Sequence, residues 1–397
     1  MKKRKATTPA GAPTAEPKGP HPCINQGWLV DLKHLATLRN DEGTQLESNL
    51  LERFPEACFP DAHYLQLIAL YSTTLSMGLF TIANGIRAHT EDSVIRGLEG
   101  VDRRSELRLA VERDDLNEGR RLRKQLPSRD GTSKAFDFFL EALGVKSPRR
   151  FPIPGQSRQR FAHFIEGRDV AIVGPSHTEQ PDGSEIDSHD VVVRMNYHTP
   201  TAGQDAVKGA RCDVTSFNVP QVKTLLGPES SGPWGKSIQW MLVNQGKTGR
   251  RLRKHLKRLP ADRRPTRLPR YLVRAEYVNE LCLNGSFTAL PKLVLNILHG
   301  RPRSVRIYHA DLMLTVDRTS GYVPDDWNWN NRKHAIFLDH CARKHDPLPQ
   351  LFLLQNLFRR GLIDGDQRFE EVMSLDRADY MAQLQMRYGD AGRTHPN

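Results

Sequence analysis

The sequence predicts an α/β fold, a parallel sheet with helices on both faces, preceded by an all-α N-terminal region. Three observations carry this expectation. Short apolar, β-branched runs begin at Asp169, as Asp169–Val173, Asp190–Asn196, Ile238–Val243 and Ser304–Tyr308. Helical stretches lie between or after them, notably Ser286–His299 and Pro349–Arg360. Ahead of Asp169 the apolar residues instead recur at helical spacing. Strands that are apolar along their whole length, alternating with helices, indicate a parallel sheet buried on both sides.

Residues 1–26 are expected to be a disordered tail. Lys2, Lys3, Arg4 and Lys5 are followed by Pro, Thr, Ala and Gly with no apolar segment, which is not the pattern of a signal peptide. Residues 27–145 are expected to be a helical N-terminal domain. Leu29, Leu32, Leu35 and Leu38 are helically spaced, as are Leu46, Leu50 and Leu51. The uncharged stretch Tyr64–Ile86 contains Gln66, Ser72, Thr73, Thr74, Ser76, Thr81 and Asn84, so it reads as a buried helix or helix pair rather than a membrane span. Glu99–Leu126 is a charged helical stretch with sparse apolar contacts, and Asp137–Leu143 a short helix ended by Gly144. Residues 146–160, rich in Pro and basic residues, read as a linker, and 161–397 as the α/β domain.

Five cysteines, Cys23, Cys58, Cys212, Cys282 and Cys341, form no CxxC pair. Neither a zinc site nor a disulfide framework is indicated, and a reducing cytoplasm is the expected location. The net charge of +12 is local: residues 250–274 hold eleven Lys or Arg and one acid, and Lys2–Arg4–Lys5 region adds four more positive charges. The rest of the chain is close to neutral. The run 250–274 reads as a solvated arm, or as a contact for acidic glycan, lipid head groups or nucleic acid.

The run ending at Val173 leads into Gly174-Pro175-Ser176-His177, where a glycine lets the backbone approach a phosphate or nucleotide closely. No G-x-G-x-x-G dinucleotide fingerprint is present. Next come Ile186-Asp187, His189-Asp190, Val192, Arg194 and Asn196. In order and spacing they resemble the long sialylmotif of glycosyltransferase family 29, the sialyltransferase family, which reads V-G-N-S and then I-D-x-H-D-x-V-x-R-x-N. The resemblance gives Gly174, Ser176 and Asn196 contacts to the cytidine monophosphate (CMP) donor, and Arg194 and Asp187 a bracing role. Pro175 stands where the family has Asn.

Asn284-Gly285-Ser286-Phe287-Thr288 opens an apolar helix and precedes Arg303–Tyr308, which resembles the short sialylmotif. Ser286 and Thr288 would then bring hydroxyls to phosphate or ribose, with Gly285 at the family's Pro position. His345-Asp346-Pro347-Leu348-Pro349-Gln350 resembles the very short motif H-x4-E, in which the histidine is the catalytic base. Gln350 replaces the Glu, and Asp346 is a candidate for part of the missing charge. Trp327 and Trp329 are candidates for stacking on a sugar acceptor, or for an aromatic loop anchor. Taken singly, Gly174 is a turn glycine, Ser286–Thr288 a helix cap and His345 a surface histidine. Their order along one chain points the other way.

The resemblance implies a Rossmann-like, GT-A-type domain. It implies inverting transfer of sialic acid, or a related 2-keto sugar acid such as Kdo, from a CMP-activated donor to a glycan hydroxyl. A histidine suits the base because its reference pKa of about 6.5 lies near operating pH. The leaving group is a single phosphodiester that helix N-termini, hydroxyls and cations can stabilise, and no D-x-D motif is present, so neither metal nor other cofactor is expected. The expected partners are the CMP-sugar and a glycan or lipid-linked glycan, with peripheral membrane contact through 250–274. A soluble bacterial relative is implied. The alternatives are a nucleic-acid-binding protein using 250–274 and a degenerate glycosyltransferase fold that binds a nucleotide without turnover, which Pro175 and Gln350 keep open.

Overall fold

Four of the apolar runs form strands because both faces of each are covered. The computed structural model describes residues 64–97, 100–146, 156–195, 205–217, 238–243, 270–273, 276–315 and 344–394, with a few isolated positions besides. Seven strands make one sheet: β1 (Asp169–Val173), β2 (Val191–Met195), β3 (Val214–Phe217), β4 (Trp240–Val243), β5 (Arg270–Val273), β6 (Ser304–Tyr308) and β7 (Asp364–Gly365). Their order is β5-β4-β3-β2-β1-β6-β7 and every pairing is parallel. Register runs Val170 against Val191 on one side of β1 and against Val305 on the other.

Alternation along the strands divides the core in two. Val170, Ile172, Val191, Val193, Trp240, Leu242, Val305 and Ile307 point into one large cluster. Ala171, Val173, Val192 and Tyr308 point the other way, onto Ile186. The chain steps outward from β1 to β5, then restarts beside β1 with β6. That reversal puts the topological switch point beside the carboxyl ends of β1 and β6, the place where open parallel sheets bind ligands.

Among the described residues there are twelve α-helices. The first five are α1 (Tyr64–Ser76), α2 (Phe80–Arg96), α3 (Arg103–Glu112), α4 (Leu116–Gln125) and α5 (Gly131–Ala142). The uncharged stretch from Tyr64 is thus the start of a helix pair. The charged stretch from Glu99 divides because Asp102 and Asp115 each cap a helix start, with Asp114 in the left-handed region at φ 60 between them. Asp130 caps α5, which begins six residues before the apolar pattern does. Helix α6 (Gln156–Ile165) covers the end of the segment that composition marks as a linker. The others are α7 (Gly183–Ser188), α8 (Asp205–Lys208), α9 (Ala289–Leu298), α10 (Pro347–Arg359), α11 (Gln367–Ser374) and α12 (Arg377–Thr394).

The large core is continuous from the early helices to the sheet. Leu67, Tyr71, Ile86, Phe136 and Phe139 belong to the same cluster as Leu293, Ile307 and Leu354. Helix α12 packs on α2, and α5 packs on the short 3-10 turn Glu276–Leu281. Among the described residues no helix is long and apolar enough to cross a membrane.

β3 and β5 escape the sequence pattern. Thr215 and Ser216 interrupt the apolar run of β3, yet both are buried. β5 lies inside the basic run that reads as a solvated arm, and its backbone instead extends the sheet beyond β4. Ile172, fully buried at the centre of β1, tests the core: Ile172→Ala is expected to lower unfolding free energy by about 2–5 kcal/mol in denaturant titration.

Candidate functional site

Two clusters of polar side chains stand beside the sheet. The first is built on the loops that follow β1 and β6. The Gly174 amide donates to the Tyr308 carbonyl at 2.7 Å, and a Cβ at Gly174 would lie 2.3 Å from the His309 carbonyl oxygen. Only glycine fits there. The Ser176 amide donates to the His309 carbonyl at 3.0 Å, and its hydroxyl to Asp311 Oδ1 at 2.7 Å. Lys208, buried, donates from Nζ to the Ser176 carbonyl at 2.9 Å and fixes a cation at the end of β1.

His309 follows β6 with φ 53, a strained left-handed position for a residue with a side chain. Its amide donates to Asp366 Oδ2 at 2.6 Å, and its Nε2 meets Asp182 Oδ2 at 2.9 Å. Burial pushes the imidazole pKa down against the pull of Asp182. The neutral ring therefore donates from Nε2–H to Asp182 and carries its lone pair on Nδ1. Asp182, His309 and Asp366 bring three ligand-type atoms within 4.8 Å of one another, a donor set of the kind that holds a transition-metal ion. The contacts present already occupy them, since Asp366 Oδ1 also caps α11 by accepting from the Phe369 amide at 2.8 Å. Among the described residues, His309 Nδ1 and Asp311 Oδ2 are buried acceptors with no hydrogen-bond partner.

Arg194 and Asp187, expected in a bracing role, grip one turn. Arg194 donates to the carbonyls of Gly209 at 2.8 Å and Arg211 at 2.7 Å. Asp187 accepts from the amides of Ala210 at 2.7 Å and Arg211 at 3.0 Å. Arg194 takes carbonyls of the loop after α8 and Asp187 takes its amides. Asn196, Trp327 and Trp329 lie outside the described residues, as does most of 250–269.

The second cluster joins two loops far apart in sequence, ahead of α9 and α10. The Ser286 amide donates to the Lys344 carbonyl at 2.8 Å, and the Ser286 hydroxyl to the same oxygen at 3.0 Å. Gly285, at φ 66, brings the strands of the two loops into contact; a Cβ there would lie 2.8 Å from the Lys344 carbonyl oxygen. His345 Nδ1 lies 3.1 Å from Ser286 Oγ and 3.2 Å from the Ser286 carbonyl oxygen. A carbonyl can only accept, so Nδ1 carries the proton and Nε2 is the basic nitrogen. Burial lowers the His345 pKa, the Ser286 carbonyl opposes this, and Lys292 on α9 lowers it further. The ring is neutral near pH 7.

Gln350 ties the cluster together. Its Oε1 accepts from the Thr288 amide at 3.3 Å and from the Thr288 hydroxyl, while Nε2 donates to the carbonyls of His345 at 3.1 Å and Asp346 at 2.8 Å. Thr288 therefore sits at the N-cap of α9 without capping it. Asp346 turns to other partners: it is fully buried, accepts from the Tyr71 hydroxyl at 2.7 Å and the Leu348 amide at 3.0 Å, and pairs with Arg87 at 3.4 Å. Arg87 is also shared by Glu91 and Glu112, and burial pushes the Glu112 carboxyl up to about 7.

The two clusters meet electrostatically at Tyr380 on α12. Burial pushes its phenol pKa well up, and Asp311 and Asp346 both add to the rise. Its hydroxyl donates to the Leu312 carbonyl at 2.7 Å, and Tyr388 does the same to Met313 at 2.7 Å, so α12 clamps the loop after β6. The sequence motifs did not single out Lys208, Lys292, His309, Asp311, Tyr71 or Arg87. For Arg87 there was a signal, because it is the first charge after the uncharged stretch Tyr64–Ile86.

The Gln350 amide makes a prediction about the departure from H-x4-E. Gln350→Glu would set an anion against two carbonyls and remove both donors, at a cost of about 1–3 kcal/mol in unfolding free energy at pH 7. A carboxyl held in that place keeps its proton longer when folded, so the folded state binds more protons than the unfolded one. The loss should therefore grow as pH rises past the ordinary glutamate value of about 4.3 and shrink in acid. Parallel denaturant titrations of variant and wild type at several pH values check this.

No family model matches the chain, and no curated protein matches it. Among solved structures, it is similar to a mammalian sialyltransferase in complex with Gal-beta-1-3GalNAc-ortho-nitrophenol, with 18% sequence identity and a TM-score of 0.32, over 58% of this chain and 84% of that one.

Proposed function

We propose that the protein is an inverting, metal-independent glycosyltransferase with a GT-A-type domain, which moves sialic acid or a related 2-keto sugar acid from a CMP-activated donor to a glycan hydroxyl. The observation that carries this reading is the junction of Ser286, Thr288, His345 and Gln350. Two motifs about sixty residues apart in sequence, each resembling a sialylmotif, meet there through hydrogen bonds to a neutral, partly buried histidine.

In this reading His345 is the base. The acceptor hydroxyl oxygen forms a bond to the anomeric carbon, and its proton passes to His345 Nε2. The bond from that carbon to the donor phosphate oxygen breaks, and CMP leaves with the electron pair. Nδ1–H on the Ser286 carbonyl keeps Nε2 free of the proton beforehand and supports the imidazolium formed afterwards. The first-turn amides of α9 at Ala289 and Leu290 and the buried Lys292 receive the phosphate, joined by the hydroxyls of Ser286 and Thr288 once these turn from the Lys344 carbonyl and Gln350. Pro291 has no amide proton, so the first two positions carry that role. His309 Nδ1 and Asp311 Oδ2 offer buried acceptors at the carboxyl ends of the strands for hydroxyl or amine protons of the nucleoside, beside Gly174 and Ser176.

The test is CMP release from CMP-Neu5Ac and CMP-Kdo without added metal, by wild type and His345→Ala. The variant should lose about 100- to 10,000-fold in kcat and still bind CMP. In the wild type kcat should rise with pH to a plateau, with a midpoint below about 6.5, because the base acts when neutral and its pKa is depressed. CMP binding with no turnover of either donor across a glycan panel would favour the degenerate fold. Absence of CMP binding would reject the family reading altogether.

A further inference from the structure

Two adjacent residues of α1 reach the two loops that build the His345 cluster. The Tyr71 hydroxyl donates to Asp346 Oδ1, next in sequence to His345, at 2.7 Å. The Ser72 hydroxyl meets the Asn284 side chain, in the Ser286 loop, at 3.2 Å. From α2, Arg87 brings its guanidinium to Asp346 Oδ2 at 3.4 Å and lies over the Tyr71 ring at 5.7 Å. Arg87 and Asp346 are both 0% exposed. Arg87 is itself held on its other nitrogens, by Glu91 of its own helix at 3.0 Å and by Glu112 of α3. Arg377 on α12 bonds Glu91 at 3.0 Å and closes the frame from the far end of the chain.

A surface loop ahead of a helix ordinarily samples several conformations. This one cannot, because moving Asp346 would strand a buried carboxylate away from its cation and its hydroxyl donor. His345 is the adjacent residue, so its backbone is tied to that anchored carboxylate, while its ring meets the Ser286 carbonyl. Neither hold comes from the sheet. Both come from groups on α1, α2 or the loop that α1 itself grips.

We propose that Tyr71 and Arg87 are positioning residues for His345, acting through Asp346, so that α1 and α2 form a working part of the site rather than a separate scaffold. The role assigned to His345 rests on the function proposed above, but its position can be read without turnover. Among the described residues, the charged groups that act on the ring are Lys292 on α9 and the neighbouring Lys344, with the Ser286 carbonyl and hydroxyl as its hydrogen-bond partners. A ring displaced from this setting exchanges burial for water and recovers an ordinary titration.

The experiment is an NMR titration of histidine-labelled full-length protein, with His345→Gln to assign the signal. Tyr71→Phe keeps the ring and removes only the hydroxyl; Arg87→Met removes the cation. In each variant the His345 midpoint should move up from its depressed wild-type value toward about 6.5. In CMP-donor turnover, kcat should fall by up to about 100-fold, the scale of a misplaced catalytic group, with the donor KM unchanged. Folded variants that unfold more easily, but keep the wild-type midpoint and kcat, would overturn the proposal and leave a purely structural role. If Arg87→Met does not fold, Tyr71→Phe decides alone. If the wild type turns over no CMP donor, the functional reading fails, while the His345 midpoint still decides the coupling.

Discussion

A guanidinium shut away from water has to be surrounded by anions, and Arg87 gathers its anions from across the chain. Glu91 comes from the same helix, Glu112 from the next, and Asp346 from a loop more than 250 residues away. An isolated charge in such a place carries a penalty of several kcal/mol, so no partner can be buried before the others arrive. Burial raises the Glu112 carboxyl to about 7 against the pull of Arg87, and the neighbouring Asp346 and Glu91 carboxylates add to the rise. The helices ahead of the sheet and the loop after β6 are therefore ordered by one interaction, and the continuous apolar core on the same side of the sheet adds to it.

How much of this was legible beforehand depended on the kind of signal. β1, β2, β4 and β6 stand out because burial on both faces forces an unbroken apolar run. β3 does not, since Thr215 and Ser216 occupy buried places without looking apolar, and β7 is only two residues long. β5 was hidden by its neighbours: Arg270 and the basic residues before it give the segment the composition of a solvated arm. In the site, Ser286, Thr288, His345 and Gln350 were legible through motif order and spacing. Lys208, Asp311 and Tyr71 were not, because a buried lysine on a four-residue helix and a tyrosine in an apolar helix look like any others until the fold brings them to their partners.

Three positions at which the chain differs from the sialylmotif pattern it resembles have local explanations. Gly285 adopts φ 66, which proline, fixed near −65°, cannot reach. Pro175 sits between two residues whose amides carry the backbone bonds to Tyr308 and His309, so a residue with no N–H interrupts neither. Gln350 both donates and accepts within one side chain, which a carboxylate cannot do. Each of these residues suits the backbone it stands in.

A sheet that ends in an unpaired strand offers its free backbone groups to any other strand, including the same one on a second molecule. Among the described residues β5 is such an end, and the stretch of chain that contains it carries ten net positive charges over 25 residues. Where two such ends approach, like charges on the edge strands repel. At physiological salt the repulsion reaches only about 8 Å, so it acts at the last step of approach, where strands would otherwise zip. An arginine on an end strand, such as Arg270 on β5, therefore acts against pairing with a second copy as well as toward an acidic partner.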